Sequence, residues 1–403
     1  MNNRLIRTPE GIRDIYGNEY LRKTAIEDQI VDTAKAYGYQ GIATPTFEYF
    51  DVFSKEVGTT PSKELFKFFD KENYTLVLRP DFTPSISRCA ALYFKDEKNP
   101  LRFYYKGNVF NNTSDHQGKL KEMTQIGVEL LGDESVNADA EVIAFVVDSL
   151  QSLGLKDFQI TVGESEFFKG ICESEGIDED AELELRESIS NKNIIKVRSI
   201  LKDLNLDEQV SERIQKVSEL FGDVNVLSIA KQYAGNERSL QAINRLSELY
   251  KVLQMYGVEQ YISFDLSMLS KYHYYTGITF SAFTYGVGEA VCKGGRYDNL
   301  LSKFGKDFPA IGAVIMTDVL LNAMRAQNID KSLQIRTDVL LYKNEDLKCA
   351  IDFAKSHRSE GKSIELIECK DTSNIGKYLK KGSYQIEGET YITENGKVVL
   401  YNE

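Results

Sequence analysis

Apolar and polar residues alternate with a period of two along Leu101-Arg102-Phe103-Tyr104-Tyr105-Lys106, the pattern of a half-buried strand. Residues 123–131 alternate less cleanly and stop at Gly132. Between them, the Asn, Thr, Ser, Asp and Gly of 111–121 read as a surface loop. The pattern predicts two strands joined by a long polar loop. Polar side chains on such strands, under a loop able to cover them, would wall a small-molecule pocket. A long hairpin with no ligand fits the same pattern.

Helical spacing brackets this stretch. Ile26, Ile30 and Ala34 share one face of a helix over 18–37, with Gly38 placed as a left-handed stop. Pro45 cannot donate to a ladder, so its segment is an edge or interrupted strand. A helix-rich stretch is expected to about residue 69, then a strand over 74–78. Pro80 ends that strand, and a helix starts near Pro84. Asp81 or Thr83 can cap it, a role that needs no ligand. A helix over 138–153 and a strand over 158–162 follow. From 165 to 257 helical periodicity takes over, with Ile214, Val217 and Phe221, then Ile243, Leu246, Leu249 and Leu253 before Gly257. This reads as an all-helical insertion in one sheet domain, or as a separate packing domain.

Strands return at 262–266, 277–285 and 310–316, with a helix over 317–324. Lys293-Gly294-Gly295-Arg296 reads as a glycine turn, and paired glycines let something approach closely. His273, set among tyrosines, reads as a packed histidine in preference to a base. Beyond 330 strand and helix alternate: strands at 339–342 and 363–367, helices at 345–358 and 372–381. A hairpin over 390–401 turns at Asn395-Gly396. At roughly 70 residues this domain is near the lower limit for an independent core. The expected division is 1–325 and 330–403.

Composition narrows the classes. A chain of 403 residues with 42% hydrophobic and 27% charged content is expected to be globular, soluble and of more than one domain. A net charge of -12 gives no general attraction to nucleic acid or an anionic membrane. The five cysteines, Cys89, Cys172, Cys292, Cys349 and Cys369, are scattered, which predicts thiols in a reducing cytoplasm. Three histidines and no Cys cluster argue against a transition-metal site. The absence of a long apolar run argues against a signal peptide or membrane span.

The segments TPEGIRDI, Pro45 to Glu48, LRPDFTPSISR, YYKGNVF, TQIGVELLG, YYTG and GGRYD occur in this order over roughly residues 5–320. Together they resemble the histidyl-tRNA synthetase-like class II synthetase family. The resemblance implies an α+β fold: a six- or seven-stranded antiparallel sheet flanked by helices, with the helical insertion and a small C-terminal α/β domain. It implies dimerisation through the Pro45 segment and a histidine-plus-ATP pocket on the sheet. The residues that would grip ATP depart from the family. Asn111, Ser270 and Val319 stand where synthetases carry arginines, and Met123 where an adenine-stacking Phe is usual. Guanidinium forks are the main holders of phosphate charge, and each such contact is worth on the order of 10²–10³ in rate.

The amino-acid half is retained. By position, Asp81, Thr83 and Gln125 match the residues that receive an α-amino group. Glu129 with Tyr274 or Tyr275 matches those that hold an imidazole. For the carboxylate the sequence offers Lys106, Lys271 and Arg296. A synthetase-like body with a histidine pocket and no ATP grip is similar to the regulatory subunits of ATP phosphoribosyltransferase. That resemblance implies a non-catalytic partner of the short-form catalytic subunit in a hetero-octamer, needing no cofactor. It implies activation of the first step of histidine biosynthesis and feedback inhibition by L-histidine. The retained polar set beside the loop 111–121 leads to the expectation that this loop closes on the effector. The alternatives are a working histidyl-tRNA synthetase, disfavoured by Asn111, Ser270 and Val319, or a non-catalytic tRNA-binding relative, against which the acidic balance counts; the abbreviated C-terminal domain further lowers the tRNA reading.

Overall fold

Helix α1 (Gly17–Ala36) buries Ile26, Ile30 and Ala34 on one face, and Gly38 follows it at φ +80°. The computed structural model describes residues 4–54, 60–113, 119–269, 275–329, 337–369 and 388–401. The chain divides into two units, Met1–Asp14 with Ile26–Asp330, and Ile15–Ala25 with Lys331–Glu403.

In the larger unit, Pro45 lies between two short strands, β1 (Gln40–Gly41) and β2 (Phe47–Tyr49). Each sits at the edge of its sheet, where a segment interrupted by proline is tolerated. The helix-rich stretch expected to residue 69 does not form among the described residues. A 3-10 turn (Ser62–Glu64) leads instead into β3 (Lys67–Phe69), whose adjacent phenylalanines favour a strand. β3 and β2 flank β4 (Thr75–Leu78) in a three-stranded antiparallel sheet. Helix α2 (Thr83–Tyr93) follows with proline in its first turn.

The main sheet is built from β5 (Leu101–Phe110) and β6 (Glu122–Leu131), then, after α3 (Val136–Ser152), β7 (Phe158–Glu164). Helices α4 (Ser165–Ser174), α5 (Glu179–Ser190), α6 (Ile194–Asp203) and α7 (Glu208–Val217) come next. A two-residue strand β8 (Phe221–Gly222), α8 (Asn225–Ala230) and α9 (Glu237–Tyr256) complete the largely helical stretch. Phe221, expected on a helical face, is thus an exposed strand residue at the far edge. The sheet resumes with β9 (Ile262–Asp265), β10 (Ile278–Thr284), β11 (Cys292–Arg296) and β12 (Ala310–Met316), and α10 (Thr317–Ala326) closes the unit.

Strand order is β1-β5-β6-β12-β11-β10-β7-β9-β8. The sheet is mixed, not purely antiparallel: β1 runs parallel to β5, and β7 to β9. Both parallel pairs are joined by long excursions, which a parallel return requires. The Lys293–Arg296 glycines lie inside β11 and form no turn. A Cβ on Gly294 would stand 2.2 Å from Phe280 Cζ, and one on Gly295 2.6 Å from Tyr275 Cε1. The pair makes room for an aromatic ring on each face.

The two faces of this sheet have different fates. Ile126, Val128, Leu130, Ile311, Ala313, Phe280 and Val162 point one way and form the core with Ile143 and Val146 of α3 and Leu246 and Leu249 of α9. On the opposite face the register aligns Phe103, Glu129, Gly312 and Gly295 in one row. The next row holds Tyr105, Gly127, Val314 and Lys293. The glycines make room for neighbouring side chains: Glu129 over Gly312, Tyr105 over Gly127 and Tyr275 against Gly295.

Two buried carboxylates tie this framework to the helices. Asp139 on α3 is fully buried and binds Arg296 of β11 (Oδ1, 2.6 Å) and Arg245 of α9 (Oδ2, 2.5 Å). Glu164, at the end of β7, accepts from the Glu166 N–H at 3.2 Å, and burial pushes its carboxyl up to about 8. The raised value has a defined consequence. Between its ordinary 4.5 and about 8 the folded chain keeps a proton that the unfolded chain releases. That contribution to stability is complete below the lower value and lost as pH rises through the upper one. Glu164→Gln is expected to flatten stability against pH over 5–8 by up to about 1.4 kcal/mol per pH unit. Urea unfolding at several pH values checks this; an unchanged slope contradicts it.

In the second unit, β13 (Thr337–Tyr342) runs parallel to β14 (Ser363–Glu368) and β15 (Thr390–Glu394), with α11 (Leu347–Ser359) packed beside them. β15 and β16 (Lys397–Leu400) form the hairpin, with Asn395 at φ 50° and Gly396 at φ 73°. The helix expected over 372–381 lies outside the described residues.

Candidate functional site

On the face of the main sheet opposite the α3 and α9 core, Glu129 lies among Phe103, Tyr105, Leu131 and Tyr297 of a second buried cluster. Its side chain is 1% exposed. Thr83, in the first turn of α2, donates its hydroxyl to Glu129 Oε1 at 2.8 Å. The Tyr297 hydroxyl, from the residue after β11, donates to Oε2. Burial raises the Glu129 carboxyl to about 8, although both hydroxyls and their hydrogen bonds favour its charged form. The group therefore holds a proton near neutrality and can share it with a base brought beside it.

The cap expected of Asp81 or Thr83 does not form. The residue before α2 is Phe82, and it makes no side-chain cap. Thr83 is spent on Glu129 instead, which moves it from helix chemistry to site chemistry. Asp81 acts electrostatically on Glu129 and on the buried Tyr105. Tyr275 does the same on Tyr105 and Tyr297, whose hydroxyls burial holds well above their ordinary range. Gln125 lies on the same face of β6 as Glu129, opposite Gly107 and Met316. The structure thus brings Asp81, Thr83, Glu129 and Tyr275 together and puts Gln125 on their wall. Tyr274 lies outside the described residues, as do Ser270, Lys271, His273 and residues 114–118 of the loop.

Two tyrosines escaped the sequence reading. Tyr105 lies flat over Gly127, where a Cβ would stand 2.3 Å from its hydroxyl, and it stacks on Phe82 at 4.4 Å. Tyr297 closes the other side of Glu129. The period-2 alternation that placed Tyr105 on a strand carried the signal for its side. Nothing local marked Tyr297, which reaches Glu129 across 168 positions of sequence.

Two of the cations considered for a carboxylate are committed elsewhere. Lys106 faces α1 and pairs with Asp28 at 3.2 Å and Glu27 at 3.5 Å. Arg296 faces α3 and is held by Asp139 and Asp298. Both side chains point away from Glu129, because they occupy the alternate positions of their strands. The positions of the missing phosphate grips are also accounted for. The Asn111 amide donates to the Pro80 carbonyl at 3.3 Å, Val319 is 6% exposed in the core, and Met123 packs against the cluster containing Phe82 and Val109.

The mixed sheet flanked by helices is of the class II synthetase type, as comparison with known proteins shows. The histidyl-tRNA synthetase family matches residues 11–320. A histidyl-tRNA synthetase from Nostoc shares the fold at a TM-score of 0.79 and 19% identity, over 96% of this chain and 91% of that one. An ATP phosphoribosyltransferase regulatory subunit from Ruminiclostridium cellulolyticum is 38% identical over 98% of this chain and 94% of its own length. One from Acetivibrio thermocellus is 40% identical over 90% and 86%. The crystal structure of an ATP phosphoribosyltransferase regulatory subunit/histidyl-tRNA synthetase from Bacillus halodurans superposes with a TM-score of 0.85 and 32% identity, covering 97% of this chain and 99% of that one. The chain belongs to the ATP phosphoribosyltransferase regulatory subunit family, built on the histidyl-tRNA synthetase fold.

Proposed function

We propose that this chain is the non-catalytic regulatory subunit of an ATP phosphoribosyltransferase in the cytoplasm. It activates a short-form catalytic subunit and transmits inhibition by L-histidine bound at Glu129. The observation that carries the reading is the asymmetry of the pocket. The carboxyl–hydroxyl set around Glu129 is present, whereas Asn111 and Val319 stand where the synthetase family carries arginines for the triphosphate. Histidine favours one arrangement of the pocket, and couplings of this kind amount to about 1–3 kcal/mol. The exposed aromatic residues Phe47, Tyr49, Phe68 and Tyr74, in edge-to-face contact as Phe47–Phe68 and Tyr49–Tyr74 on one face of the three-stranded sheet, supply an apolar face for self-association within a hetero-octamer.

Co-expression with a short-form catalytic subunit tests the function. Co-purification and a rise in phosphoribosyl transfer of at least about tenfold are expected. Charging of tRNA by the chain alone, or no effect on the catalytic subunit, overturns it.

The pocket also sets a pH dependence. A bound imidazole and Glu129 share one proton. Free histidine holds its ring proton below about 6.5, and Glu129 holds its own up to about 8. Between these values binding needs no net proton exchange. Below them a proton must leave, and above them one must be taken up. Histidine affinity is expected to be flat between and to fall about tenfold per pH unit on either side. Calorimetric titration from pH 5 to 9.5 reads this profile; a monotonic rise or fall contradicts the shared proton.

A further inference from the structure

Resting on the reading of Glu129 as the imidazole site, we propose that Lys293 receives the effector's carboxylate, replacing the guanidinium that the synthetase family keeps for it. Lys293 is exposed near the start of β11, a strand in the middle of the sheet order, a place where side chains are usually covered. Its row is Tyr105, Gly127, Val314 and Lys293, so it stands on the Glu129 face of the sheet. The neighbouring row ends in Gly312 and Gly295, and Gly127 lies between Lys293 and Tyr105. Glu129 itself lies over Gly312, with Tyr105 over Gly127 and Tyr275 against Gly295, so these two rings border the space between the lysine and Glu129.

Spacing supports the assignment. β11 lies two strands from β6, about 10 Å away at the usual strand separation. A flexible four-carbon stem closes part of that gap. An amino acid lying across β12, with its ring at Glu129, would extend its other end over Gly312 and Val314 toward the ammonium. Charge supports it too. Glu129 and Asp81 give the pocket acidic groups for the ring and the amine, and a carboxylate needs a cation on the same face. Lys106 and Arg296 face the other way. Lys293 has no ion pair with any described residue, so its charge is open to a ligand.

The test compares L-histidine with L-histidinol, in which an alcohol replaces the carboxylate, on the full chain by calorimetry. The wild-type chain is expected to bind histidine at least about tenfold tighter than histidinol. Lys293→Met is expected to weaken histidine by about 10- to 50-fold and to leave histidinol within about twofold, removing the preference. Lys293→Arg restores most of it. Histidine binding that survives Lys293→Met, or equal losses for both ligands, overturns the role of Lys293 while leaving the pocket standing. Failure of the wild-type chain to bind either ligand overturns the pocket and this assignment together. Because Lys293 is exposed, thermal unfolding of the variants is expected to match the wild type.

Discussion

Asp139→Ala is expected to lower the unfolding free energy by about 3–5 kcal/mol, the usual cost of removing one partner from a buried ionic set. Asp139 is fully buried, and Arg296 is 3% exposed. Without the carboxylate, the Arg296 guanidinium stays inside with only Asp298 and the Asp133 and Ser135 carbonyls. Arg245 loses the same partner and keeps the Glu134 carbonyl. The damage extends to the pocket. Asp298 receives the Thr276 hydroxyl at 3.0 Å and the Ala310 N–H at 3.0 Å. Thr276 follows Tyr275, so the Arg296–Asp298 arrangement fixes the backbone that carries a pocket tyrosine. Urea unfolding measures the loss. A change below about 1 kcal/mol would show the pair to be worth no more than a surface bridge.

Gly312→Ala is expected to abolish the response to histidine, weakening binding by at least about 100-fold. A Cβ at this position would stand 1.8 Å from Glu129 Oε2 and 2.9 Å from the Val128 carbonyl oxygen. The strand cannot yield, because Gly312 is paired on both sides, to Glu129 and Gly295. Glu129 must therefore swing away, breaking its bonds from Thr83 and Tyr297. Calorimetry checks the loss, with far-ultraviolet circular dichroism confirming the fold. Gly295→Ala offers a comparison: its Cβ would meet Tyr275 Cε1 at 2.6 Å, displacing a ring and sparing Glu129. A Gly312→Ala chain that binds histidine normally would mean that the ligand does not lie on Glu129.

The elements with strong periodicity were legible in the sequence. Ile243, Leu246, Leu249 and Leu253 fix α9 on their own, and Gly257 ends it at φ 71°. The Asn395-Gly396 turn is equally local. The misreadings share a cause: each depended on partners distant in sequence. Phe68-Phe69 forms a strand because β4 supplies its ladder. Gly294-Gly295 forms a strand because Phe280 and Tyr275 need the room. Thr83 leaves its capping role because Glu129 arrives from 46 positions away. Motif position named Thr83 and Glu129, which the fold joins, but not the closure of Glu129 by Tyr297. Nor did the sequence distinguish the usable cation. Strand parity turns Lys106 and Arg296 to one face and Lys293 to the other, and parity is fixed only once the register is known.

The central claim is that an imidazole amino acid on Glu129 regulates a separate catalytic chain. Inhibition of the reconstituted complex by L-histidine, compared between wild type and Glu129→Ala, tests it most directly. Activation of the catalytic subunit should persist in the variant, while the histidine concentration for half-inhibition rises by about 100-fold or more. Inhibition at the wild-type concentration in the Glu129→Ala complex would contradict the account.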